Sequence, residues 1–247
     1  MATIEEYNSY GEELERLLLL RTSPIAVKMI ESEKDIPEGA YRPKKDDGVH
    51  LAQCQAFTMT RRKRKTVAML KEDNWCFAPI IGWGLVEKPD PEQVMGATFP
   101  CFEYGKYIGI VTAPLKTASF LPDMILVYSN PMQLRLMMGA TQTREERILT
   151  SEFYSIDSCI YSIVPVIESG KCRITLPDPG EYERAMTTED EIIFSVPADA
   201  IERMVEGLKR TDERKRGYAY SSMDMTPDFP RPEFYRKLFE MWGLDTE

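Results

Sequence analysis

Asp123-Met124-Ile125-Leu126-Val127-Tyr128-Ser129-Asn130-Pro131 is the stretch on which the fold turns. Met124 to Tyr128 is an unbroken apolar run of strand length, containing β-branched and aromatic residues. Asn130-Pro131 then supplies a helix cap and a proline at the first helical position, where the missing N–H is of no consequence. A helix from Met132 to Gly139 follows, with Met132, Met137 and Met138 as pliable core filler. A strand running directly into a helix predicts an α/β unit.

Working upstream, residues 106–113 (KYIGIVTA) form the other clear strand. Ile4, Tyr7, Leu14, Leu17 and Leu18 predict an amphipathic helix over 3–20, stopped by Arg21-Thr22-Ser23-Pro24. Ile25 to Ile30 reads as a short buried strand, and 31–49 as a loop carrying Pro37, Gly39, Pro43 and Gly48. A helix is expected from His50 to about Thr60, with Leu51, Cys54 and Phe57 inward, then a strand over 66–70 and a turn over 71–74. Phe77 to Leu85 is apolar all round, which predicts a buried short helix or loop. Pro89 and Pro91 close this half.

Downstream, 156–167 is short and apolar, and Lys171 to Leu176 is a strand ending in the turn Pro177-Asp178-Pro179-Gly180. Glu191 to Val196 is another strand, leading to a helix that reaches about Leu208. A polar excursion over 210–230 precedes a final helix, Arg231 to Trp242, expected to pack Phe234, Leu238 and Phe239. No repeat of fixed period and no linker rich in glycine, serine or proline divides the chain. The expectation is one domain over 1–247, α/β or mixed α+β, with a mixed sheet flanked by helices.

At 247 residues the chain can bury a core without disulfide staples. Its acidic and basic residues number 40 and 31, and the net charge of −9 repels phosphate backbones, so nucleic acid is a poor partner. The first twenty residues are acidic before they are apolar, unlike a secretory signal, and no apolar run approaches the ~20 residues of a membrane span. Five cysteines without an export signal predict a cytoplasmic, reducing location and free thiols.

Those cysteines hold the chemical interest. His50 and Cys54 are four apart on the expected helix and would share a face. Cys76 opens the apolar segment between Trp75 and Trp83, and Cys159 enters another from Asp157-Ser158. Cys101 and Cys172 lie in irregular or strand-edge sequence. Soft sulfur donors favour zinc, copper(I) or iron–sulfur clusters. No CxxC pair is present, however, and by spacing alone buried inert thiols are the commoner reading. Trp75, Trp83 and Phe77 can form a dry wall beside such a site or plain core. Thr60-Arg61-Arg62-Lys63-Arg64-Lys65 is a basic run. Arg61, Arg62 and Arg64 are candidate anion-binding residues, against the alternative of a solvated helix end.

From Thr22 to about Leu208 the chain resembles the family known as domain of unknown function 169. The matching pieces are Thr22 to Lys28, Cys54-Gln55, Cys76 with the segment ending at Gly84-Leu85, Ala113-Pro114-Leu115 before Pro122-Asp123, Cys159, Gly170-Lys171, and Asp190-Glu191-Ile192 through Pro197. The resemblance leaves 209–247 as a C-terminal extension. It implies a site built from Cys54, Cys76 and Cys159. The family often has a fourth cysteine in the turn that here reads Pro177-Asp178-Pro179-Gly180, so Cys172 or Cys101 would have to substitute, or one iron would stay open. The function it implies is a cytoplasmic iron–sulfur protein of anaerobic metabolism with a 4Fe–4S cluster, either a redox accessory or an oxidoreductase-type enzyme working on a small substrate through an open iron. Its partners would be a small molecule or a redox protein, with a homo-oligomer compatible and no membrane. A metal-free ligand- or partner-binding protein with structural cysteines is the alternative.

Overall fold

Alternate residues of every long strand serve opposite cores. In β4 (Met124–Ser129), Met124, Leu126 and Tyr128 pack on one side of the sheet while Ile125 and Val127 pack on the other. The same alternation divides β1 (Ile25–Ile30), β2 (Val67–Leu70), β3 (Gly109–Pro114) and β6 (Ile192–Pro197). With short β5 (Arg173–Thr175) these make one six-stranded sheet in the order β2-β3-β1-β4-β6-β5. The computed structural model describes residues 2–90, 92, 99–142, 148–220 and 231–244. Pro91 and the 221–230 part of the expected polar excursion lie outside the described residues.

The mixed helix-and-strand composition and the single domain agree with the sequence reading, but the sheet does not. Each of its five pairings is antiparallel. Apolar runs without polar alternation are usual in parallel sheets, which helices cover on both faces. Here helices cover both faces of an antiparallel sheet, so the same runs arise without parallel pairing. The result is an α+β sandwich rather than a chain of βαβ units.

One face carries α1 (Ile4–Leu18), α5 (Pro131–Thr141) and α9 (Ile201–Glu213). Thr3 and Glu6 form a capping box at the start of α1. Asn130 and Gln133 do the same for α5, as the Asn-Pro step predicts, and Gln133 Nε2 also donates to the Leu18 carbonyl at 2.8 Å. Asp123 anchors the strand start, its carboxylate accepting the Met29 N–H at 2.7 Å.

α1 packs through Gly11 against the turn Leu115–Thr117 that follows β3, where an added Cβ would stand 2.6 Å from the Lys116 backbone nitrogen. Gly11→Ala is therefore expected to destabilise the protein by about 1–3 kcal/mol through overpacking against backbone that cannot yield. That exceeds the roughly 1 kcal/mol that alanine adds in helix propensity. The midpoint of urea unfolding measures the net effect.

The other face carries α3 (Gln53–Lys63), α4 (Phe77–Gly82), α6 (Ser158–Tyr161) and α7 (Val164–Ser169), with α8 (Pro179–Arg184) beside α3. The loop over 31–49 contains a 3-10 turn, Glu33–Asp35, and one short α-helix, α2 (Pro43–Asp47). α10 (Glu233–Met241) forms where expected, but it buries none of its residues. Phe234 is exposed, and Leu238 and Phe239 are only half-buried, so the anticipated packing is absent among the described residues. No helix among the described residues is long and apolar enough to cross a membrane.

Candidate cysteine pocket

Three of these short helices begin with a cysteine. Cys54 is the second residue of α3, Cys76 caps α4, and Cys159 is the second residue of α6. The chain between Leu51 and Trp75 is closed by backbone bonds: Leu51 N–H donates to the Asp73 carbonyl at 3.0 Å, and Trp75 N–H to the Leu51 carbonyl at 2.8 Å. This brings Cys76 alongside the first turn of α3. Asp73, fully buried, fixes the preceding loop by accepting from Lys44 N, Leu70 N and Arg42 Nε.

Cys159 is set by a carboxylate clamp. Asp178 Oδ2 accepts from both the backbone N–H and the hydroxyl of Ser158, while Oδ1 accepts from Glu181 N–H as the cap of α8. One side chain thus ties the Cys159 loop to α8. The Thr58 hydroxyl in turn donates to the Ala185 carbonyl, holding the end of α8 against α3.

The outcome is a pocket of about 450 Å³ lined by all three cysteines together with Gln53, Phe77, Tyr154, Ile156, Asp157, Asp178 and Arg184. Burial pushes the Cys54 thiol up to about 12, and the Cys76 and Cys159 thiols are also raised, chiefly by burial. Cys159 additionally feels Asp178, Cys54 and Cys76. Backbone N–H groups of Gln55 and Ala78 bond the Cys54 and Cys76 sulfurs and oppose the rise. Asp157 adopts a left-handed backbone (φ 59°), and burial with Asp178 nearby lifts its carboxyl to about 6. Among the described residues, no three histidine, cysteine, aspartate or glutamate side chains are grouped so as to hold a metal ion.

The family pattern described as uncharacterised ArCR, domain of unknown function 169, matches residues 13–207. The chain belongs to that family. The family region starts inside α1 rather than at Thr22 and ends within α9. An uncharacterized protein of Methanocaldococcus jannaschii is 22% identical over 226 residues, covering 83% of this chain and 95% of its own length. No solved structure is significantly similar.

Within this family member the remaining site candidates separate. Cys172 packs with the core on the α1, α5 and α9 face of the sheet, opposite the pocket. Cys101 precedes Phe102, whose N–H donates to the Gly82 carbonyl at the end of α4 remote from Cys76. Neither lines the pocket. Asp178, Pro179 and Gly180 of the late turn do line it, and Asp178 contributes the clamp. His50 is exposed and lies outside α3, which starts only at Gln53, so it shares no helical face with Cys54. Trp83 is fully buried in the core and does not line the pocket. Phe77 does line it, and exposed Trp75 lies under the Arg184 guanidinium at 5.1 Å.

The basic run is corrected most sharply at Arg61. Its side chain is wholly buried, bonded to Glu191 at 2.7 and 3.2 Å and stacked 4.0 Å over Tyr128. Arg62 also reaches Glu191, at 3.4 Å, and Arg64 is an exposed left-handed helix cap. Arg61 is therefore internally neutralised and does not offer an anion site.

Sequence reasoning missed the buried acid behind the pocket. Glu181 accepts from the Tyr128 hydroxyl at 2.7 Å and from Thr187 at 2.9 Å, yet burial lifts its carboxyl from 4.5 to about 7. Its signal is a glutamate three residues after a capping aspartate, which reads as an ordinary first-turn acid. Because the folded protein holds this proton to higher pH than the unfolded chain, the associated stability is full below about pH 4.5 and is lost as pH rises through 7. Its size is on the order of 3 kcal/mol. Glu181→Gln is expected to flatten that part of the profile, as urea unfolding at pH 5 and pH 8 can show.

Proposed function

We propose that this protein binds an iron–sulfur cluster through Cys54, Cys76 and Cys159. The observation that carries the reading is that these cysteines, distant in sequence, all line one pocket. Their soft donors suit iron–sulfur chemistry. A cluster spreads its thiolates over several irons, so it accepts sulfurs wider apart than a single ion would. N–H groups bonded to the Cys54 and Cys76 sulfurs are the kind of contact that tunes such a centre. Bound, a cluster supplies electron transfer or, with one iron lacking a protein ligand, a Lewis acid toward a substrate oxygen.

The chain's own contribution is to hold the thiols in place and exclude water. Asp178 positions the Cys159 loop, and Phe77, Pro79 and Ile156 supply apolar wall. The raised thiols carry their protons at neutral pH, so loading must release protons. This reading places the protein in the cytoplasm, in anaerobic metabolism, as a redox accessory or as an enzyme on a small oxygenated substrate. Anaerobic purification followed by iron and acid-labile sulfide analysis tests it, and a colourless, metal-free product under those conditions would sink it.

A second reading, a metal-free ligand-binding protein, is favoured by one observation. Gln53, one of the pocket-lining residues, has neither amide atom hydrogen-bonded among the described residues. Under that reading serine at the three cysteine positions costs only stability.

A further inference from the structure

We propose that the cysteine pocket binds a zwitterionic amino acid with an apolar side chain, its carboxylate on Arg184 and its ammonium on Asp157. The inference requires the pocket but not the cluster. Asp157 and Arg184 line that pocket with opposite charges, yet among the described residues they form no ion pair with each other. The Asp157 side chain does not cap α6, and among the described residues its carboxylate accepts no hydrogen bond although it is half-buried. Its oxygens are not sealed in the core, so a ligand can reach them. Asp178, the other aspartate of the pocket, shows the contrast, with both of its oxygens taken up by Ser158 and Glu181. A half-buried charge without a partner lowers stability, and a ligand bringing the opposite charge recovers the loss.

Arg184 is the one cation among the described lining residues. Its guanidinium rests on Trp75 at 5.1 Å, and its side chain is about a third exposed. Glu183, its ion-pair partner, is largely exposed and stands 3.7 Å away, too far for a hydrogen bond. Arg184 folds back over Gly180, where an added Cβ would come within 3.1 Å of it, so glycine there leaves the arginine room along the pocket wall. A planar guanidinium fork with unspent donors suits a carboxylate. The two charges also converge. Besides burial and the Ala78 N–H, the Cys76 thiol feels Asp157, which raises it, and Arg184, which lowers it. An ammonium and a carboxylate borne on one carbon fit charges gathered near one sulfur, while Phe77, Pro79 and Ile156 suit an aliphatic side chain.

The test is calorimetric titration of the full chain, both metal-free and anaerobically reconstituted, with L-leucine, with 4-methylpentanoate, which lacks the ammonium, and with 3-methylbutylamine, which lacks the carboxylate. Leucine is expected to bind roughly 10- to 100-fold more tightly than either half. Asp157→Asn should weaken leucine and the amine but not the acid, and asparagine tolerates the left-handed backbone there (φ 59°). Arg184→Met, at a partly exposed position that spares the core, should weaken leucine and the acid but not the amine. A merely structural role would weaken all three probes alike. That uniform loss, equal affinities for the three probes in the unmutated chain, or no binding of leucine at millimolar concentration would each overturn the proposal. Leucine binding without a cluster removes only the iron–sulfur reading, and a cluster without leucine binding removes only this one.

Discussion

Serine at Cys54, Cys76 or Cys159 is expected to reduce the iron and acid-labile sulfide retained after anaerobic reconstitution by at least about tenfold, whereas Cys101→Ser and Cys172→Ser retain both. The contrast follows from placement. The first three line one pocket, while Cys172 packs on the opposite side of the sheet and Cys101 follows the far end of α4. That far end lies about 9 Å along the helix from Cys76. Serine differs from cysteine by one atom, so each variant should keep its circular dichroism and a cooperative melt. Equal retention in all five variants, or loss confined to Cys101 and Cys172, would remove the pocket from the argument.

The largest effect on stability is expected at Glu191. Alanine there would leave the fully buried Arg61 guanidinium without its main carboxylate, at a cost of about 3–5 kcal/mol. Arg61→Met paired with Glu191→Leu should recover most of that loss, because removing both charges leaves neither uncompensated. Urea unfolding of the two variants measures the difference. If the single and double variants are equally destabilised, lost packing rather than the unpaired charge accounts for the cost. The Tyr128 ring is expected to contribute, since it stacks on the same guanidinium and bonds Glu181, joining the two buried acids through one network.

Arg61 and Asp178 show where reading the chain reaches its limit. In sequence, Arg61 is one of several cations closing a helix, a pattern that usually faces water. It turns inward because Glu191, from the approach to β6, folds over it, a pairing that no spacing within Thr60–Lys65 encodes. Asp178 reads as part of a turn, and that is locally correct. Its role in steering Cys159 depends on Ser158 arriving from a segment twenty residues earlier. Gln53 was not singled out at all, because an unsatisfied amide can be recognised only once every neighbour is in place.

Local features are carried by single residues and hold whatever surrounds them. Apolar runs mark Ile25–Ile30 and Met124–Ser129, and the Asn130-Pro131 step starts a helix through its own side-chain cap and fixed φ. These follow from backbone sterics and short-range hydrogen bonds that involve a few neighbouring residues. Strand direction is another matter. Burial on both faces gives an antiparallel sheet the same apolar signature as a parallel one, so only the completed pairing decides between them. The pocket is likewise a product of tertiary packing. Four helix starts meet there because Leu51 pairs with the chain before Cys76 and Asp178 reaches Ser158, bonds between segments some twenty residues apart that no local pattern encodes.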